Sequence, residues 1–124
     1  MGDLNQYGDV VSTFVGWDSL LLASLVEGAA GVMAGTGNIV PAELVAVWDA
    51  VQTNDIRQAR EAWNRIFPVI DAIMQQPFVS AVKAVLGAVA LPVGVPRAPV
   101  APLDPATTAR IADLVAEERR LFAS

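Results

Sequence analysis

At 124 residues and a net charge of −5, with 8 basic against 13 acidic side chains, the chain has room for one modest domain and lacks the cationic surface that nucleic acid needs. It contains no cysteine and no histidine, which removes disulfides, zinc sites of the usual ligand sets, thiol nucleophiles and every triad with an imidazole base. Hydrophobic residues make up 54%, against ~45–50% in ordinary soluble domains, and the mean hydropathy is +0.47. So small a fold is expected to leave apolar surface for a partner or for further copies of itself.

Met1 to Gly8 is polar and is expected to fray, whereas Val10 to Val15 has the β-branched and aromatic content of a strand ending at Gly16. Asp18 is placed to cap a helix over Ser19 to Glu27, with Leu21, Leu22, Leu25 and Val26 on its apolar face. Gly28 suits a left-handed helix stop. Gly31-Val32-Met33-Ala34 is a short apolar run fit for a strand buried on both faces. Gly35 to Asn38 can turn, and Pro41 opens the next helix. Two strands joined by one helix make a parallel, right-handed βαβ unit, and in such units ligands bind beyond the carboxyl ends of the strands. The class is therefore α/β, mostly helical.

Ala42 to Gln52 continues as a helix, and Asn54 and Asp55 break it. Asp55 then caps a long helix in which Ile56, Ala59, Trp63, Ile66, Ile70 and Ile73 recur by threes and fours; Pro68 should kink this helix rather than end it. A very apolar helix follows from Pro77 to about Ala90, carrying Val79, Val82, Val85, Leu86 and Val89. Five prolines between Pro92 and Pro105 forbid a helix there and imply an ordered strap or a linker. Asp104 and Pro105 start the last helix, with Ile111, Leu114, Val115 and Leu121 facing one way and Glu117, Glu118, Arg119 and Arg120 mostly the other. There is no internal repeat.

The longest uncharged runs, Gly28 to Ala42 and Ala84 to Pro96, are broken by glycine or proline. Both fall short of the ~18 clean apolar residues of a spanning helix. No membrane contact is expected, and the N-terminus has no basic region ahead of an apolar core. With cysteine absent, this fits a cytoplasmic protein.

Few residues here can carry chemistry. Gly31, Gly35 and Gly37 resemble a phosphate loop only loosely, since no lysine follows and Val40 stands where dinucleotide spacing wants glycine; turn geometry explains them better. Lys83, the single lysine, lies among alanines and valines where snorkelling or capping outweighs catalysis, and Tyr7, the single tyrosine, sits in the fraying segment. Asp18 and Asp55 read as caps and the acids of the last helix as a solvated face. Trp17, Trp48 and Trp63 read as core or interface fillers, Trp17 least securely because it lies at a strand's carboxyl end.

GWDSLL from Gly16, GAAGVMAGTGNIVP from Gly28, the long helix around Pro68, PFVSAVKAVLG from Pro77 and VPRAPVAPLDP from Val95 together resemble the C-terminal part of the dihydrodipicolinate synthase and N-acetylneuraminate lyase family. The resemblance implies a fragment of a (β/α)8 TIM barrel. Residues 1–53 would supply its last two strands and βα units, and residues 54–124 a C-terminal three-helix extension. It implies a pyruvate-dependent lyase or aldolase that uses a Schiff-base lysine, a relay tyrosine and a Gly-Thr-Thr loop. None of the three is in this chain, and Lys83 is similar to a different lysine of the family's C-terminal helices. Gly2-Asp3-Leu4 looks like the segment after the lysine strand, though its distance to Gly16 is shorter than the family's.

By position, Met33 and Gly16 carry over as substrate-binding residues that shape the 2-oxo acid site, and Asn38 as a residue that ties its loop. No catalytic residue, metal or cofactor is implied for this chain. The expected partners are pyruvate in the complete enzyme and either a second copy or the missing barrel half. The rival reading is a non-catalytic helical assembly module.

Overall fold

The computed structural model describes residues 7, 8, 10–89 and 91–123. The expectations for Gly2-Asp3-Leu4 and for a helix end at Ala90 lie outside the described residues. In chain order the elements are β1 (Phe14–Val15), a 3₁₀ turn (Asp18–Leu20), α1 (Leu21–Val26), β2 (Gly31–Val32), a second 3₁₀ turn (Gly35–Asn38), α2 (Pro41–Gln52), α3 (Ile56–Met74), α4 (Phe78–Val89) and α5 (Pro105–Phe122). β1 and β2 are parallel, with Phe14 opposite Gly31 and Val15 opposite Val32. Among the described residues this is a mostly helical fold with one two-stranded sheet, whose outer edges are unpaired.

The strands are shorter than their apolar runs predict. Val10 and Val11 are not in the ladder, because both amides donate to the Tyr7 carbonyl at 2.9 Å in a tight turn. Parallel pairing begins only where Ala30 N–H donates to Thr13 at 2.8 Å and ends where Met33 N–H donates to Val15 at 2.9 Å.

Helix ends follow local chemistry closely. Gly28 adopts φ +100°, Gly28 N–H bonds Leu25 at 3.0 Å and Ala29 N–H bonds Ser24 at 2.9 Å, the paired bonds of a left-handed stop after α1. Asn54, at φ 59°, closes α2 with the same pair of bonds to Val51 and Ala50. Asp55 caps α3 by accepting from Gln58 N–H at 2.9 Å, and Asp104 caps α5 by accepting from Thr107 N–H at 2.8 Å. α3 runs unbroken through Pro68.

One apolar cluster joins Leu21 and Leu25 of α1, Val47 of α2, Ile66, Ile70 and Ile73 of α3, Val85 of α4, and Ile111 and Val115 of α5. The proline-rich segment is an ordered strap: Ser80 Oγ donates to the Ala101 carbonyl at 2.6 Å, and Leu103 packs on the core. No single helix among the described residues is long and apolar enough to cross a membrane; α3 and α4 pass only as a pair bent by 120°, and their apolar sides face this core.

α5 departs from the simple two-faced reading. Glu118 is 4% exposed. Arg119 also turns inward, donating to the Ile39 carbonyl at 2.9 Å and to Val89 at 3.2 Å. Docking α5 against α3 and α4 turns both residues inward; their charge suggests water, but they follow Ile111 and Val115 at helical spacing.

Candidate functional site

The carboxyl ends of β1 and β2 lie side by side and carry Gly16, Trp17 and Asp18 on one loop and Met33 to Asn38 on the other. Asp18 does not cap α1. Its Oδ2 accepts from Thr36 N–H at 2.8 Å and from Thr36 Oγ1 at 2.7 Å, with both residues buried. The reason is register: pairing Phe14 with Gly31 sets Asp18 level with Gly35, beside Thr36. Two donors from one residue hold the carboxylate more firmly than one exposed amide at a helix start would.

The second loop is fixed from three directions. Asp18 holds Thr36. Phe78, at the start of α4, lies so close to Gly35 that a Cβ there would meet its ring at 2.5 Å. Arg119 holds the Ile39 carbonyl. Asn38 ties the loop internally, its Nδ2 donating to Gly35 at 2.9 Å.

Gly35 thus serves close approach rather than turning, and so does Gly31, where a Cβ would meet Phe14 Cε1 at 2.8 Å. Within this loop the amides of Thr36, Gly37, Ile39 and Val40 all bond inside the fold, so they form no phosphate cradle.

Gly16 and Met33 occupy corresponding places at the two strand ends. A Cβ added at Gly16 would meet nothing within 4 Å, and Met33 is 78% exposed. A hollow of about 300 Å³ opens beside Gly16, lined also by Trp17, Asp18, Met74, Gln76 and Phe78. A larger groove of about 620 Å³ takes its lining from α2, α3 and α5 and none from the strand loops. The site is therefore placed by strand ends, not by size. Chemically, this end of the sheet offers backbone shape, an indole and a buried carboxylate already engaged. It can bound and orient a ligand.

The other candidates lie elsewhere. Lys83 lines a separate hollow of about 180 Å³ with Ser80 and the strap. Tyr7 is exposed at the turn before β1. Trp48 donates to the Ala30 carbonyl at 3.2 Å, and Trp63 packs against Phe67 with ring centres 5.5 Å apart. No three potential metal-binding side chains converge among the described residues.

Glu118 corrects the reading of the last helix as a solvated acidic face. Its Oε1 is buried without a hydrogen-bond partner among the described residues, 4.0 Å from Arg65 Nε. Burial pushes its carboxyl above the usual value; Arg65 opposes the shift, and Glu43 and Glu117 reinforce it. Helical spacing does separate Glu118 from Glu117, because 118 follows Ile111 by seven and Val115 by three and so falls on the buried stripe. The pairing of Asp18 with Thr36 carried a weaker signal: each lies just past one of two apolar runs, at offsets that differ by one residue.

The model of the dihydrodipicolinate synthetase family matches residues 3–118. The 4-hydroxy-tetrahydrodipicolinate synthase of an Exiguobacterium species is 32% identical over 100 residues, covering 81% of this chain and 34% of that protein. Synthase 1 of Streptomyces coelicolor is 36% identical over 98 residues, covering 77% of this chain and 32% of that protein. The chain thus spans about a third of the length of the curated relatives it matches.

Among solved structures, a Pseudomonas aeruginosa protein provisionally assigned as a dihydrodipicolinate synthetase superposes with a TM-score of 0.87 at 31% identity, over 95% of this chain and 41% of that one. The dihydrodipicolinate synthase of Thermotoga maritima, at 20% identity and a TM-score of 0.85 over 93% of this chain and 39% of that one, shares the fold. The matched length, the relatives' identity and the superposition agree: this chain belongs to the dihydrodipicolinate synthetase family.

Proposed function

We propose that the chain is the C-terminal portion of a pyruvate-dependent Schiff-base lyase, resembling 4-hydroxy-tetrahydrodipicolinate synthase. In this reading β1 and β2 are the last two strands of a (β/α)8 barrel, residues 1–53 are a partial barrel segment, and α3 to α5 form the three-helix extension. Gly16 and Met33 border the pyruvate site by shape. The Schiff-base lysine, the relay tyrosine and the Gly-Thr-Thr loop belong to the part of the barrel outside this chain, so the chain alone is inactive.

The observation that supports this best is the parallel strand pair whose carboxyl-end loops are tied by Asp18 and Thr36 while both sheet edges stay open. Open edges of a parallel pair are templates for further strands. The chain therefore associates, either with the remaining barrel strands or with copies of itself.

The test mixes this chain with an N-terminal piece bearing the first six strands and treats the mixture with pyruvate and borohydride. A trapped adduct of the reconstituted pair supports the lyase reading. Stable association without an adduct favours a non-catalytic assembly module. A chain that stays monomeric at high concentration, alone and in the mixture, refutes both.

A further inference from the structure

Trp17 stands at the carboxyl end of β1 with 59% of its surface exposed. Trp48 spends its indole N–H on a backbone carbonyl, whereas the Trp17 N–H has no partner among the described residues. The ring borders the hollow of about 300 Å³ whose other walls include Met74, Gln76 and Phe78. Among the described residues Asp18 supplies the only charged side chain in that lining, and it is 3% exposed with Oδ2 engaged by both Thr36 donors.

These walls discriminate by chemistry. Among the described lining residues, an aldehyde carrying a carboxylate would lose its hydration facing no cation and lying near Asp18, and a polyhydroxylated one would find the Gln76 amide and the indole N–H for its hydroxyls. An apolar or aromatic body loses nothing of that kind and gains contact with the indole, the thioether of Met74 and the Phe78 ring.

Building on the lyase reading above, we infer that Trp17 is the specificity-determining residue for the aldehyde that meets pyruvate, and that the hollow selects one with an apolar or aromatic body. One aromatic contact is expected to change affinity by about tenfold.

The walls described above all come from this chain, so the test uses the chain as it is. In a ¹⁵N-labelled sample the indole N–H signals are assigned with Trp17→Phe. The sample is then titrated with benzyl alcohol, 4-hydroxybutyrate and glycerol, unreactive alcohols that represent aromatic, carboxylate-bearing and polyhydroxylated aldehydes.

The Trp17 signal should shift saturably with benzyl alcohol, at a half-saturation at least tenfold below the other two. Trp17→Ala should weaken that binding about tenfold with the remaining signals still dispersed, while Trp17→Phe should keep most of it. Equal or tighter binding of 4-hydroxybutyrate, or no Trp17 shift with any probe, overturns the inference. Pyruvate trapping in the reconstituted pair reports separately: trapping without the indole shift overturns the specificity of the hollow alone. A shift without trapping overturns the lyase reading and the aldehyde's role with it, leaving an aromatic-binding hollow.

Discussion

The helical half and the strand corner of this molecule treat similar apolar residues oppositely. In α3, α4 and α5, Ile66, Ile70, Ile73, Val85, Ile111 and Val115 are each no more than 1% exposed, because three helices cover one another. Around β1 and β2, Phe14, Trp17 and Met33 are 60%, 59% and 78% exposed. Exposed apolar side chains also stand on the helices and the strap, among them Val45, Val79, Leu91 and Val95. The difference is that the helices share one buried core, whereas the two strands bury little beyond Val15.

The largest effect should separate the two regions directly. Ile70→Ala removes a fully buried side chain from the helical core and is expected to cost about 2–5 kcal/mol. Met33→Ala removes a side chain that touches water and should stay within about 0.5 kcal/mol. Urea unfolding of both variants checks the pair. Comparable losses would mean that the strand corner is covered in solution.

Asp18→Ala comes next, because it strips a buried amide and hydroxyl of their shared acceptor at the seam between the two strand loops; about 1–3 kcal/mol is expected. Faster hydrogen exchange at Thr36 should accompany it, with α3 amides changing only as global stability does. Exchange rising equally in α3 would show that the corner and the helices open as one unit. A smaller loss, about 1 kcal/mol, is expected for Asp55→Ala, which removes the α3 cap without touching the corner. Thermal unfolding measures it, and no change in midpoint would show that Gln58 N–H finds water just as well.

How much of this was legible in the sequence depends on the range of the interaction. The stops at Gly28 and Asn54 and the caps at Asp55 and Asp104 are set within about one helical turn, and their residue types declared them. The stripe of Ala59, Ile66, Ile70 and Ile73 is periodic, and all four are buried; Ile56, on the same stripe but at the open end of α3, is 42% exposed. What local pattern misassigned is decided by docking.

Asp18 looks like a cap until the parallel register brings Thr36 beside it. Glu118 and Arg119 look solvated by their charge, although both fall at helical spacing from Ile111 and Val115. The strand lengths were overestimated because apolar content marks what can pair, whereas the turn at Tyr7 decides what does. Gly16 and Met33 were named as site residues by the family resemblance, not by the residues themselves, and the hollow beside Trp17 needed Met74 and Phe78 from a distant helix junction.

The smallest effect is a change of pH slope, and it tests whether the helical core is as complete as its burial implies. Glu118 faces Arg65 across 4.0 Å, with Glu43 and Glu117 as like charges nearby, and burial holds its carboxyl above the ordinary value of 4.5. A raised folded-state value means the protonated form is favoured by folding. Its contribution is fully present below about 4.5 and is lost as pH rises through the folded value. Asp104 shifts the other way, below its ordinary 3.8, so what it contributes is lost only as pH falls through that lower range, outside the window that Glu118 governs.

Glu118→Gln keeps the shape without the titration. Relative to the native chain, the variant should therefore gain stability between pH 4 and pH 7, read as diverging urea midpoints. Parallel midpoints across that window would mean that Arg65, though half exposed, compensates the buried charge completely, and that the core carries no electrostatic penalty on its α5 side.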